Sequence, residues 1–321
     1  MGGENNLICD NGSIIASDSF IGGGSDHHVY GAKSVVAGGL HNYVYSSCSF
    51  TCGGLSFVGA GLSNLVSTSW SSIISGSCNT ISGGGYNNII GSGYKNAITA
   101  ITGGGGNNFI GAGCQNSIFQ GSAGNAIGSG YLNQIGAVTH FGAIYSFIGS
   151  GQSNCIDTGT NPNVTTWDAI GAGQNNKICT NVCSSGVFVG DTNIIVANCS
   201  FIGGGQSNFI DSSHASPTTY AVIGGGQGNK VCIGTTHSSI FGGNNNCVSG
   251  SCSAILGGSG NNDGGLNWVG IFGCNITGVL NNAFHANQFV AQNMVIAGTP
   301  VPTGTLYYCN LGPGNCPVYI C

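Results

Sequence analysis

The chain has 321 residues, of which 61 are Gly and only 4% are charged: four Lys, no Arg and nine acids, for a formal charge of −5. A soluble domain is typically about 25% charged and about 7% Gly, so this chain is solvated mainly by Asn, Ser, Thr and backbone. With so few cations it lacks the electrostatic footprint for nucleic acid or anionic membrane, and no run approaches the roughly 18 apolar residues of a membrane span, so neither partner is expected.

The first stretch, MGGENNLICDNGSIIASD, shows no basic region followed by an apolar core, so no secretory signal is read there. MGGENN has Asn6 where a myristoylation motif has Ser or Thr. Residues 1–19 are read as an N-terminal cap or attachment segment.

From residue 20 the chain repeats itself. SFIGSGQSNCI (146–156), SFIGGGQSNFI (200–210) and VIGGGQGNKV (222–231) share one unit: an apolar residue, an Asn six positions later, and a second apolar residue two positions after that. The unit is met at Asn42, Asn64, Asn79, Asn87, Asn96, Asn107, Asn116, Asn133, Asn154, Asn176, Asn208, Asn229 and Asn246. His27 replaces Asn in a further copy, and Ser56 does so between Phe50 and Val58. Ile and Val favour a pleated surface, and Gly permits the positive φ of a tight turn, so each copy predicts strand, Gly turn, strand. Asn tolerates left-handed backbone and bonds neighbouring backbone through its amide; stacked copies would align these side chains in a ladder.

Some copies follow one another at 8 or 9 residues (79, 87, 96) and others at about 14 to 22, the long steps carrying loops such as DTGTNPNVTTWDA and DSSHASPTTYA. Gly at this density disfavours helix by about 1 kcal/mol per residue. The predicted fold is therefore all-β: a parallel β-roll or β-solenoid of short Gly-Asn-rich repeats over 20–265. Burying an Ile or Val contributes roughly 1.5–3 kcal/mol, while ordering each backbone residue costs about 1–2 kcal/mol, so an isolated coil is near break-even. Its remaining apolar face is expected to be buried against other copies, in a homotrimer.

Beyond the repeats, residues 266–321 change texture. Strand-like runs at Leu306–Cys309 and Val318–Cys321 flank NLGPGN, a turn signal, and predict a small C-terminal β cap or attachment module.

Sixteen Cys invite a disulfide or metal reading. Cys78, Cys114, Cys155 and Cys247 lie within two residues of a repeat Asn, which suits small half-buried thiols. No CxxC is present; Cys48–Cys52 and Cys179–Cys183 are CxxxC spacings, and Cys309, Cys316 and Cys321 cluster at the C-terminus as candidates for pairing.

GGGSDHH and GGSGNND resemble a calcium-binding nonapeptide, but Asp26 and Asp263 are isolated where that motif needs an Asp in every copy. A glycosidase needs two carboxylates about 5–9.5 Å apart; Glu4 is the single Glu, and Asp157, Asp168 and Asp211 beside the insertions are the carboxylates that stacking would have to bring together. His27, His28 and His41 are a candidate cluster, and Trp167 and Tyr220, with Trp70 and Trp268, are candidate ligand-contact aromatics on the insertions. No catalytic residue, cofactor or metal ligand is assigned.

IGGGQSNFI, IGGGQGNKV and IGSGQSNCI resemble the head repeats of YadA-like trimeric adhesins and related Gly-Asn-rich repeats of phage tail fibres and large-virus proteins, over roughly residues 20–262. That resemblance implies parallel β-roll coils stacked in a trimer. The C-terminal segment is similar to the segment after the repeats in tail fibres. The variable spacing and many Cys depart from the adhesins, as does the lack of a visible signal or membrane anchor. The expectation is a structural, non-enzymatic protein of the virion surface: a fibre, spike or capsid decoration whose partners are its own copies, other particle proteins and a host glycan or receptor met by its outer loops. A bacterial cell-surface adhesin and a carbohydrate-cleaving tailspike are the alternatives.

Overall fold

The computed structural model describes residues 2–9, 17–45, 54–100, 106–119, 123–136, 145–157, 167–179, 182–213 and 215–288, with the backbone of strands 295–296, 306–308 and 318–320. Regular structure among these residues is entirely β.

The unit seen in the sequence is one side of a coil. Ile202 closes a short strand, Gly203–Ser207 turn, and Asn208–Ile210 lead into the facing strand. Repetition builds two sheets. A 14-stranded sheet runs from Leu7–Ile8 to Cys247–Val248, and each of its strands from Tyr43–Val44 onward follows a repeat Asn; a 16-stranded sheet runs from Phe20–Ile21 to Phe284–Ala286. We call them the Asn sheet and the Phe sheet. Neighbours pair in parallel with in-register aliphatics, such as Ile195 with Ile210 and Ile202 with Ile223.

Alternation decides what is inside. In nearly every strand the second residue is Ile or Val and is fully buried, giving two inward aliphatic columns such as Ile156, Ile178, Ile195 and Ile148, Ile170, Val187. The core is only two side chains wide. β-Branched residues fill it because their restricted χ1 suits a pleated surface.

A core this thin brings the turns' polar backbone close to it, and the Asn ladder satisfies those groups. Asn208 Oδ1 accepts the backbone N–H of Asn229 in the next coil at 3.0 Å, while its Nδ2 donates to Gly204 O at 2.9 Å and Gly226 O at 3.0 Å. The same set of bonds recurs at Asn154 and Asn229. Only an amide offers an acceptor and two donors in this space.

The Gly three residues before each ladder Asn has a steric reason. Gly205 has φ +90°, and a Cβ there would lie 2.0 Å from Gly226 O and 2.8 Å from Asn208 Nδ2. Two residues later Ser207, at φ 55°, turns its N–H back to Asp191 O of the preceding coil.

A second ladder lines the other end of the core, just before the strands of the Phe sheet. It is built of Ser34, Ser56, Ser71, Asn88, Asn108, Asn125, Ser146, Asp168, Ser185 and Ser200, all buried. Each side-chain oxygen that is bonded this way accepts the N–H of its counterpart one coil on, as Ser185 Oγ accepts from Ser200 N at 3.1 Å.

The coils differ from the sequence expectation in three places. Asn87 and Asn107 are exposed residues with φ 56° and 59°, and their neighbours Asn88 and Asn108 are the buried ones. Counting from Ile81 lands on Ile89, which points outward, whereas Ile90 points in; a slip of one residue exchanges faces. Asn88 and Asn108 also belong to the second ladder, so steps of 8 or 9 residues are half-coils and a full coil takes 15 to 22, as between Asn64 and Asn79 or Asn154 and Asn176. Finally, the solenoid extends past 20–265 at both ends: Leu7–Ile8 already pairs with His28–Val29, and the compact unit spans Met1–His285.

Ala286–Cys321 form a separate unit. Its strand Leu306–Tyr308 pairs antiparallel with Val318–Ile320 and parallel with Val295–Ile296, as the two strand-like runs predicted. The turn NLGPGN lies outside the described residues.

Candidate functional surfaces

The solenoid presents two sheet faces and two turn edges, and chemistry is distributed unequally among them. The outer face of the Phe sheet is apolar. Its first strand position carries Phe20, Ile89, Phe109, Phe147, Phe201 and Phe284, each between 41% and 56% exposed. The outward position two residues on is often Gly, as at Gly111, Gly149 and Gly203, and the Phe ring lies over it: a Cβ on Gly111 would meet the Phe109 ring at 3.4 Å. That Cβ would also lie 2.4 Å from Gly128 O, so the flat Gly column is enforced by the coil above as well as by the ring. Phe188, Phe241 and Phe272 interrupt the Gly column and are more than half exposed.

The outer face of the Asn sheet is mixed. Near its start, His28, Tyr30, Tyr43 and Tyr45 form a block in which Tyr30 and Tyr45 stack with centroids 4.9 Å apart and His28 meets Tyr43 edge-on at 5.0 Å. Tyr30 and Tyr45 turn their ring faces to one another at the coil spacing. Further along, Lys177 pairs with Asp157 at 3.8 Å and Lys230 with Asp211 at 3.2 Å. Thiols stand beside both pairs: Cys155 and Cys179 by the first, Cys232 and Cys247 by the second. Burial pushes the Cys155 thiol up to about 11.

The Gly-turn edge is polar in its later coils, where side-chain amides bond from coil to coil: Gln227 Nε2 donates to Gln206 Oε1 at 3.2 Å and Asn244 Nδ2 to Gln227 Oε1 at 3.2 Å. The opposite edge holds the turns of variable length. Trp167 and Tyr220 both sit there, 64% and 55% exposed, Trp167 immediately before Asp168 of the second ladder and Tyr220 immediately before Ala221, which takes the same place in its coil without an acceptor side chain. They are three coils apart, about 14 Å at the spacing of parallel strands. Trp70 and Trp268 occupy the same turn position in other coils, so all three Trp share one edge, and Tyr220 stacks on His237 at 4.9 Å. Trp70, Tyr145, Tyr220 and Trp268 all have φ between 54° and 61°, a conformation that costs a bulky residue about 1 kcal/mol.

The remaining sequence candidates are placed apart. His27 is buried in the Asn ladder, His28 faces outward, and His41 stands at the Gly-turn edge with Nε2 3.1 Å from Asp26 Oδ2. Asp157 and Asp211 face Lys on the Asn sheet, whereas Asp168 is buried in the second ladder. Asp263 is also buried, and its oxygens accept from the N–H groups of Ser249, Gly250 and Gly265. Among the described residues no three His, Cys, Asp or Glu group as metal ligands. Cys78, Cys114, Cys155, Cys179, Cys183 and Cys247 are half-buried free thiols; Cys48, Cys52, Cys309, Cys316 and Cys321 lie outside the described residues.

One ladder member fits the repeat rule without having been named by it: Asn193, six residues after Val187 and two before Ile195; Asn261, six after Ile255, is also in the ladder but has Asp263 where the rule has an apolar residue. The second ladder has a weaker sequence signal, because Ser, Asn and Asp alternate in it without a fixed spacing.

Two buried titratable groups stand out. Asp168 Oδ1 accepts the N–H of Ser185 at 2.9 Å, while Oδ2 has no hydrogen-bond partner among the described residues; burial raises this carboxyl to about 7, against the N–H bond that lowers it. His27 takes the place of an Asn: its N–H donates to Asn6 Oδ1 and its Nδ1 accepts from Asn42 N at 3.1 Å. Accepting at Nδ1 requires the neutral ring, and burial lowers its pKa accordingly, opposed by the backbone around Gly39, Asn42 and Gly23.

No family model and no curated protein matches this chain.

Proposed function

We infer that this chain is a structural component of a virus or phage particle, a fibre, spike or capsid decoration, which assembles as a homotrimer and meets a host surface through its outer loops. The observation that carries this reading is the exposed Phe column beside the Gly column on one sheet. Its Phe rings stand at whole multiples of the coil spacing, with Val, Ile, Ser, Ala or Gly at the same place in the coils between, and so match another solenoid of the same spacing better than a compact ligand. With two inward aliphatics per coil, the chain gains by burying that face in its own copies. Two hydrogen-bonded sheets and side-chain ladders at both ends of the core tie coil to coil, as a fibre requires. The resemblance of the repeat to Gly-Asn-rich repeats of tail fibres and large-virus proteins supports the particle setting, and exposed Trp167, Tyr220 and Trp268 on the variable edge are the residues to examine for receptor contact.

Cryo-electron microscopy of the native material containing this chain tests the reading. Threefold spikes or fibres on particles are expected. Trimers on a bacterial envelope would replace it with the adhesin, and a monodisperse monomer of the full chain in solution would remove the trimer.

A further inference from the structure

Thiols on the Asn sheet recur beside Lys–Asp pairs, and one pair of sulfurs stands closer than packing requires. Cys232 Sγ and Cys247 Sγ are 3.1 Å apart, although the residues are 15 positions apart in the chain and lie on successive coils. The register explains the meeting. Lys230 pairs with Cys247 and Val231 with Val248, and Cys232 N donates to Val248 O at 2.8 Å, so Cys232 leaves its strand just as Cys247 enters the next. Both thiols are half-buried and free.

We propose that Cys232 and Cys247 are a covalent modification site, closing into an inter-coil disulfide by exchange with a low-molecular-weight disulfide. The surroundings prepare the first step. The two sulfurs hydrogen-bond to each other, and this contact, with the Lys230 ammonium, lowers the Cys232 thiol against burial and the carboxylates of Asp211 and Asp263, while Cys247 is held higher by the same contact. Cys232 is therefore the attacking thiolate and Cys247 the resolving thiol. The Cys232 thiolate displaces one thiolate from the small disulfide and forms a mixed disulfide. Cys247, giving up its proton, then attacks the Cys232 sulfur and releases the second small thiolate. Two protein thiols are oxidised, one disulfide is reduced to two small thiols, and those carry away the two protons.

Closure needs about 1 Å of further approach, since a disulfide spans about 2.05 Å. The corner after Cys232 can supply it: Ile233 is 47% exposed, and a Cβ on Gly234 would meet only Ser216 Cβ, at 3.4 Å. A bridge closed by such a shift carries some strain and is readily reduced again.

The test treats the folded full-length chain with oxidised glutathione near pH 8, alkylates remaining thiols, and cleaves at Phe241, which separates the two cysteines, for peptide mass mapping. In the native chain Cys232 and Cys247 should leave the alkylatable pool together, their peptides staying linked until reduction with no glutathione retained. Cys247→Ser should hold glutathione on Cys232, and Cys232→Ser should leave Cys247 alkylatable. The proposal fails if native Cys232 accumulates glutathione while Cys247 still alkylates, or if Cys232 stays unmodified while the exposed Cys199 and Cys274 react.

Discussion

Replacing Asp168 by Asn isolates what one ionisable group does inside the ladder. Its carboxyl, 1% exposed, titrates near 7 against an ordinary value of 3.8. An acid whose folded pKa is raised binds a proton in the folded chain that the unfolded chain has lost, so stability falls as pH rises between these values and is level on either side. At about 1.4 kcal/mol per unit, a shift of about three units amounts to roughly 4 kcal/mol, a ceiling reached only above pH 7. Asn keeps the oxygen that accepts from Ser185 N and already serves at Asn88, Asn108 and Asn125 of the same ladder. Asp168→Asn should therefore leave the denaturation midpoint nearly unchanged at pH 4 and raise it at pH 8 by the equivalent of about 2–4 kcal/mol, with slower amide exchange at Ser185 if unfolding proves local. An equal effect at both pH values would refute the assignment of a neutral buried acid.

His27→Asn should act in the opposite sense: a histidine with a lowered folded pKa loses stability as pH falls below about 6.5, so the variant should flatten the urea midpoint between pH 7 and pH 5. Asn208→Ala leaves the Asn229 N–H and Gly204 O without this partner, removes one of the two bonds to Gly226 O, and should cost about 2–5 kcal/mol by denaturation, with Asn208→Ser in between because it keeps an acceptor. Gly205→Ala should prevent folding of its coils, whereas Gly242→Ala, with nothing within 4 Å of the added Cβ, should change stability by less than about 1 kcal/mol; circular dichroism and melting separate the two. Replacing Phe109, Phe147 and Phe201 together by Ser should convert a trimer into monomer by light scattering while the strands persist, since none of the three is in the core.

Legibility in the sequence depends on which side of the coil is constrained. The connection from the Phe sheet to the Asn sheet has one length: Ile148 to Asn154 to Ile156 matches Ile223 to Asn229 to Val231, because Gly, left-handed residue and Asn must stack on their copies above and below. That turn, its strands and eleven of the named ladder Asn can be read directly. The return connection is free to vary in length and composition, since only one buried side chain recurs in it, mostly Ser, Asn or Asp but Ala221 and Val269 in two coils. Its ladder of Ser, Asn and Asp therefore leaves too little pattern to find, and the repeat rule selects Asn87 and Asn107 in place of Asn88 and Asn108. The candidate surfaces are legible only in part. Trp167 and Tyr220 can be named from composition, but that Trp70, Trp167 and Trp268 share an edge, or that Cys232 meets Cys247, depends on counting coils whose lengths differ.

The two ladders also show why Asn dominates one and Ser the other. On the Gly-turn side most ladder Asn reach a carbonyl four residues back, as Asn154 reaches Ser150 O at 3.1 Å, as well as one in the next coil, which calls for an amide with two donor hydrogens. On the variable side a hydroxyl suffices: Ser185 Oγ donates to Ala197 O at 2.8 Å and accepts from Ser200 N. Asp168 stands where neither rule is met in full: Oδ1 accepts the N–H of Ser185, Oδ2 has no hydrogen-bond partner among the described residues, and burial raises the carboxyl to about 7. Exchanging the two kinds of residue should therefore be asymmetric. Ser in the Asn ladder loses both donations of the amide, while Asn in the Ser ladder has precedent at three coils of this chain and should be tolerated at Ser146 and Ser185.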